Sequence, residues 1–372
     1  MQFIDRKKCI IISSMDTKLP CVLMRGGTSR GPYFLAEWLP ADVPQRDRLL
    51  LAAMGSPHEL QVDGLGGGNT LTSKVAIVSR STRPDCDVDY LFAQVSPDQA
   101  LVDTRPNCGN MLAGVGPFAI EQGLVNAQGE ETRVRIFNVN TRARVDAVVQ
   151  TPGGRVTYAG SASIDGVGGT AAPVKLNFLD AWGTVTGSVF PTGKRQEMID
   201  DLAVTLIDAA MPMMMVAASS LGLKGTEMPA ELDMNSDMLL RLEMMRREAG
   251  FRMGLGDVRD SVTPKPVLLS PGQTTDQIVS RYFTPKQCHK SHAVTGAIGV
   301  ATAFLTEGTV ASRFSAPRLP GTHHVQVFHP SGKIDIDVDL SIGEKGLSIT
   351  SAALIRTVRK IMEGDLYVPS RA

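Results

Sequence analysis

Cys108 sits in the run Pro106-Asn107-Cys108-Gly109-Asn110, directly ahead of residues 110–122, which are apolar almost all the way round and stop at Gly123. A helix that is apolar on every side is wrapped by other structure. Its first turn then lies in the interior, where free N–H groups and the positive end of the dipole favour anions. A thiol held there is expected to have its pKa lowered toward neutral, which suits a proton-transfer or nucleophilic cysteine beside an anionic ligand. A buried structural cysteine is the alternative. Lys74 follows the glycine-rich loop of residues 63–69 and opens the apolar run Val75 to Val78. Desolvation at such a junction can depress a lysine pKa, giving a general acid or base, or a carboxylate anchor; an ordinary surface lysine is the other reading. Arg25, Gly27, Thr28, Ser29 and Arg30 combine two guanidinium groups with hydroxyls and small residues. That set suits carboxylate or phosphate, or else a plain hairpin turn.

Other groupings carry less. The loop Gly64-Leu65-Gly66-Gly67-Gly68-Asn69 lacks the third glycine of the dinucleotide fingerprint, and no Gly-Lys-[Ser/Thr] follows it, so a nucleotide site is not expected. Cys288, His289 and His292 bring a thiol and two imidazoles together, but no further pair completes a four-ligand zinc set. This loop, with Ser291 and Thr295, is expected to cap a second buried helix and present donors to a ligand. His58, His323 and His324 read as structural or solvated loop residues. Asp335, Asp337 and Asp339 read as one solvated face of a strand, and Met211 to Met215 as core.

These groups need a scaffold. The 372 residues allow two domains with sizeable cores, and 43% hydrophobic with 20% charged residues is a globular composition. Lys+Arg and Asp+Glu are both 38, so no basic surface points to nucleic acid and an anionic substrate must be held by local groups. Five cysteines without CxxC spacing, and no signal-like or membrane-spanning run, point to a reducing, cytoplasmic setting without a membrane partner. The first fourteen residues read as an appendage, with Met15 a candidate start.

Short β-rich runs dominate. Cys21–Met24 and Tyr33–Leu35 read as strands joined by a tight polar loop, and residues 44–54 as a short amphipathic helix. Arg133–Phe137, Arg144–Val149 and Arg155–Tyr158 read as a meander, and residues 236–249 as an amphipathic helix covering a sheet or a dimer partner. Residues 109–125 laid on residues 294–310 match at Gly114/Gly299, Val115/Val300, Gly123/Gly308 and Val125/Val310. The chain therefore reads as a duplicated α/β (α+β) protein. Each of its two similar domains is a curved sheet around a central helix, and the two helix N-termini face a shared cleft. The boundaries expected are 1–187 and 188–349, with 350–372 returning to the first domain. Cys108 falls on Ala293, so the paired thiols of a two-cysteine racemase are not expected.

The run Met24 to Gly31, Gly66 to Asn69 with Thr72, Ser73 and Lys74, Asn107 to Asn110, and Val294 to Ala297 together resemble the PrpF family, from about Leu19 to Pro369. Arg80-Ser81, Asp87 to Gln94 and Gly254 to Asp257 are most similar to its 4-oxalomesaconate tautomerase branch. The resemblance implies a diaminopimelate-epimerase-like fold with its site between the halves. It also implies cofactor-independent 1,3-proton shifts on small unsaturated polycarboxylates, with no metal, and with Lys74 and Cys108 as the catalytic pair. A substrate-binding set of Arg25, Gly27, Thr28, Ser29, Arg30, Asn69, Ser73, Asn107, Gly109, Asn110, Ser291, Thr295 and Gly296 is expected around them. The rival expectations are a 2-methylaconitate- or aconitate-type double-bond isomerase, a non-catalytic polycarboxylate sensor and, last, a thiol redox enzyme. A homodimer is the default assembly.

Overall fold

The structure, a computed structural model, describes residues 17–369 except 285, 317, 344 and 345. The expected appendage and the candidate start at Met15 lie outside the described residues. Strands β1 (Thr17–Gly26) and β2 (Ser29–Leu35) form a hairpin, α1 (Val43–Met54) follows, and β3 (Lys74–Arg80), β4 (Val88–Val95) and the short β5 (Val102–Asp103) come next. Helices α2 (Gly109–Leu112) and α3 (Val115–Glu121) precede β6 (Glu131–Asn138), β7 (Ala143–Gln150) and β8 (Pro173–Phe178). The second half runs β9 (Glu197–Ile199), β10 (Leu202–Asp208), β11 (Pro212–Ala217), α4 (Pro229–Asp233), α5 (Ser236–Arg252), β12 (Lys265–Pro271) and β13 (Gln277–Tyr282). It ends with α6 (Val294–Leu305), β14 (Gly321–His329), β15 (Gly332–Gly343) and β16 (Gly346–Val368).

The same pairing series occurs twice. β1–β2 antiparallel, β2–β3 parallel, β3–β4 antiparallel, β4–β6 parallel and β6–β7 antiparallel are matched by β10–β11, β11–β12, β12–β13, β13–β14 and β14–β15. β16 joins the two halves. It pairs with β15 up to Ala353, with β8 from Ala352 to Thr357, and with β1 from Val358 to Val368, so the first sheet returns to its starting strand.

Each sheet curls around a helix because its inner face is apolar. Ala76, Val78, Tyr90, Phe92, Val134 and Val145 surround α2 and α3, while Val267, Leu269, Ile278, Tyr282, Val325 and Val338 surround α6, whose twelve residues are all buried. The outer faces take amphipathic helices. Leu50, Ala53 and Met54 of α1 cover Phe34, Val75 and Ile77; Leu242, Met245 and Ala249 of α5 cover Val204, Val216 and Leu268. Asp42 and Asn235 start these helices by accepting from Gln45 N and Met238 N, and α1 ends at Gly55 with φ +71°. No helix among the described residues is long and apolar enough to cross a membrane.

Three local expectations change. The single helix over 110–122 is two segments: Ala113 N and Gly114 N bond three residues back, to Asn110 O and Met111 O, although both residues keep right-handed angles, and Tyr33 packs against Gly114. Arg155–Tyr158 is not a strand: Pro152, Gly153 (φ +62°) and Gly154 (φ +77°) turn the chain away, and β8 takes its place beside β7. His323 and His324 belong to β14, where His324 sits between Asp335 and Asp337.

Candidate functional site

The two inner helices meet mouth to mouth. Cys108 is the N-cap residue of α2 and Ala293 that of α6, and a Cβ on Gly109 would lie 2.7 Å from Val294 Cβ. Only glycine at 109 lets the second half close this tightly. The first turn of α2 is held from both sides: Tyr33 Oη donates to Met111 O at 2.5 Å and Tyr90 Oη to Cys108 O at 3.2 Å. Both rings are fully buried, so the thiol at the mouth has a rigid backbone beneath it.

The β1–β2 turn closes over that mouth. Predicted as a loop from Arg25 to Arg30, it contracts to Gly27 and Thr28 between strand residues. Gly27 needs its left-handed φ of +52° and lies against the Asn110 side chain, which a Cβ would strike. Asn110 Nδ2 donates to Thr28 Oγ1 at 3.0 Å, while its Oδ1 is buried without a partner. Ser29 Oγ comes within 4.0 Å of Cys108 Sγ.

Lys74 opens β3 beside this turn, with Gly31 packed directly on its carbonyl oxygen. Its ammonium donates to Gln94 Oε1 at 2.6 Å and lies 5.1 Å from the centre of the Phe92 ring. Gln94 is aimed by its own bond from Nε2 to Ser73 O at 2.8 Å. Desolvation lowers the Lys74 pKa, and a thiolate at Cys108 opposes that shift, so the two groups are in electrostatic contact.

Other expected residues serve the frame around this point. Arg25 Nη1 donates to Gly27 O and Thr357 O, both at 2.8 Å, tying the turn to β16. Arg30 reaches Leu65 O, Asn69 folds back on Gly67 O and Leu71 N, and Ser73 Oγ donates to Gln61 Oε1, so these three stitch the glycine-rich loop together. Asn107 Oδ1 accepts from Asn138 Nδ2 at 2.7 Å. From the second half, Ser291 shares a small cavity with Thr28, His292, His329 and Arg356. Thr295 directs its hydroxyl to Met211 Sδ, and Gly296 is the space that admits the Tyr282 ring.

Several contributors had no part in the sequence-based set. His292 Nδ1 donates to Ala293 O at 2.8 Å, which leaves Nε2 to accept from Ser280 Oγ–H at 2.9 Å. Both nitrogens are satisfied in the neutral ring, and burial pushes its pKa down to about 3. Burial likewise pushes His289 and His329 to about 4, with Lys74 and Lys265 adding to the effect at His289. Arg356 is buried with Nε unpartnered, and burial lowers it to about 10. The seam between the halves thus collects cationic and imidazole groups with few carboxylates among them. No group of three or more His, Cys, Asp or Glu is placed to hold a metal among the described residues. Cys288 faces the α5 side, in a cluster with Leu232, Met238 and Phe283, and burial pushes its thiol up to about 12. It offers no resolving partner for Cys108. A cavity of about 770 Å³, lined by Trp182, Phe190, Arg195 and Arg318, lies at the far end of α6.

Comparison with known proteins agrees with this architecture. The family model described as "PrpF protein" matches residues 16–369. YbhH of Escherichia coli strain K12, named as an isomerase without a substrate, is 54% identical over 95% of this chain and 99% of its own. The (4E)-oxalomesaconate Delta-isomerase of Novosphingobium sp. strain KA1 and the 4-oxalomesaconate tautomerase of Pseudomonas putida are each 47% identical over 95% of this chain, covering 98% and 97% of theirs. The crystal structure of a methylitaconate-delta-isomerase superposes with a TM-score of 0.80 at 36% identity, over 96% of this chain and 97% of that one. The fold is diaminopimelate-epimerase-like.

Proposed function

The chain belongs to the PrpF family and is an isomerase; from that premise we propose that it catalyses a 1,3-proton shift on a small unsaturated polycarboxylate, with 4-oxalomesaconate the first candidate. The observation that carries this reading is the seam itself. An amine and a thiol in electrostatic contact, Lys74 and Cys108, lie where cations outnumber their counter-charges. Such a place favours a polyanion and allows a proton to be taken at one atom and given at another.

In this mechanism the substrate carboxylates enter the seam and one member of the Lys74/Cys108 pair removes a proton from carbon next to the unsaturated system. The electron pair passes into an enolate or dienolate, held by donors around Gly109 and Asn110 and the hydroxyls of Thr28 and Ser29. The partner returns a proton two atoms away, so the double bond moves and no electrons are gained or lost. Lys74 is prepared for this: desolvation raises its neutral fraction, while the Gln94 amide and the Phe92 face steady the ammonium when it forms. The relationship to a methylitaconate isomerase supports a second reading, a double-bond shift in a 2-methylaconitate- or aconitate-type substrate, by the same proton chemistry.

The test is proton NMR of 4-oxalomesaconate and of 2-methylaconitate in deuterated buffer. Enzyme-dependent deuterium uptake with interconversion of isomers is expected in one of them, and that substrate chooses between the readings. Binding of both without exchange in either would instead make the protein a polycarboxylate sensor.

A further inference from the structure

The repeated topology puts a second lysine where the first half has Lys74. In the first half Lys74 is the first residue of β3, and Ala76 and Val78 follow it on the inner face. In the second half Lys265 is the first residue of β12, and Val267 and Leu269 follow it on the inner face. Both strands pair in parallel with the second strand of a hairpin and antiparallel with the strand that follows them in the chain. The segments Lys74-Val75-Ala76-Ile77-Val78-Ser79 and Lys265-Pro266-Val267-Leu268-Leu269-Ser270 agree at both ends and are apolar between.

What surrounds the two lysines differs. The first hairpin turn carries Gly27 and Thr28, with Ser29 opening the next strand; the second carries Ala209, Ala210 (φ +59°) and Met211, whose sulfur accepts from Tyr282 Oη and Thr295 Oγ1. The first helix mouth carries Cys108 and the second Ala293. Of these three positions the second half has apolar groups at two and keeps the lysine. Lys265 is only 6% exposed, and its ammonium has no hydrogen-bond partner among the described residues. It is near enough to Lys74 and His289 to repel charge on both, with Asp103 the one carboxylate acting on it and Arg246 engaged by Glu243. Burial and these cations pull its pKa to about 7.

An ammonium on a nearly buried side chain, without a hydrogen-bond partner and close enough to Lys74 to feel its charge, is costly unless an anion completes it. The geometry points to Lys265 as a substrate-binding residue that receives one carboxylate of the substrate from the side opposite Lys74. This rests on the polycarboxylate reading above and deepens it: one lysine per half, with the acid–base thiol on the first half alone, fits a ligand with at least two carboxylates.

The test compares wild type with Lys265→Met, which keeps the length of the side chain without its charge, and with Lys265→Arg. Two quantities are read: KM and kcat for the substrate, and the Kd of the unreactive propane-1,2,3-tricarboxylate by calorimetry. Lys265→Met is expected to raise KM and Kd about 30-fold or more with a smaller change in kcat and an unchanged circular-dichroism spectrum, and Lys265→Arg to restore most of the affinity. Wild-type affinity in Lys265→Met, equal loss in both variants, or no binding of either polycarboxylate by wild type would overturn the assignment. If wild type binds the tricarboxylate but isomerises nothing, the isomerase substrate reading fails while the anchor stands. If wild type isomerises normally and Lys265→Met matches it in KM and Kd, the anchor fails alone.

Discussion

At the scale of single residues, the paired groups Lys74 and Cys108 should separate by what each variant still does. Lys74→Met and Cys108→Ser are each expected to lower kcat by about 10²–10⁴-fold, with both variants still folded, since Lys74 loses one hydrogen bond, to Gln94 on the neighbouring strand, and β3 and β4 stay paired along their length. The variant lacking the initial base loses both isomerisation and solvent exchange at the reacting carbon. The variant lacking the returning acid keeps exchange while losing isomerisation. Deuterium wash-in measured beside product formation distinguishes them, and a wild-type rate in either variant removes that residue from the mechanism. The positions of these two residues were legible because each sits at a local boundary, a strand start or a helix start, written in adjacent letters. The contacts of Arg25 show the converse. Its partner Thr357 lies 332 positions away in sequence, and only the return of β16 to β1 reveals that Nη1 is tied to it. Lys265 left a signal in a six-residue segment that agrees with that of Lys74 only at its two ends, too little to stand out beside the helix match of residues 109–125 and 294–310.

At the scale of elements, the site depends on two helix starts touching. Gly109→Ala would place a Cβ against the branched Val294 Cβ at 2.7 Å, on backbone held by Tyr33 and Tyr90. The mouths must then move apart, at a cost of about 1–3 kcal/mol for an overpacked contact. The expected result is a lower denaturation midpoint and a loss of kcat/KM. Adding Val294→Ala should recover part of both, giving a coupling energy in a double-mutant cycle. Two single variants whose effects simply add would show that the contact does not govern the cleft. Helix existence was readable from all-round apolarity, and the pairing of Cys108 with Ala293 from four matched positions. The break at Gly114 was not, because it is a local tightening to bonds three residues back, at Ala113 N and Gly114 N, that leaves the apolar pattern unbroken. The expected strand at Arg155–Tyr158 failed where Pro152, Gly153 and Gly154 overrode a weak alternation.

At the scale of the molecule, a chain with equal numbers of acidic and basic residues has gathered a cationic, imidazole-rich seam between its halves, and this makes stability depend on pH in a defined direction. His289, His292 and His329 have folded-state pKa values of about 4, 3 and 4, depressed first by burial and then by neighbouring charge, against 6.5 for a free imidazole. Well above pH 6.5 the rings are neutral whether the chain is folded or not, and their contribution is constant. As pH falls from 6.5 toward 4 the unfolded chain takes up protons that the folded chain refuses, so stability falls with pH in that window. Each unit of depression is worth about 1.4 kcal/mol, enough for three such groups to dominate the curve before most carboxylates titrate. Urea denaturation midpoints should therefore drop steadily from pH 6.5 to 4.5. In His292→Asn, whose amide can still donate to Ala293 O, stability at pH 7 should be lower but its decline across the same window shallower. A slope identical to wild type would place the acid sensitivity elsewhere. A bound polyanion acts on the same balance from the other side: by offsetting charge in the seam it lowers the cost of protonating these rings. The midpoint should therefore fall less steeply with acid when propane-1,2,3-tricarboxylate is present than in an equal ionic strength of chloride.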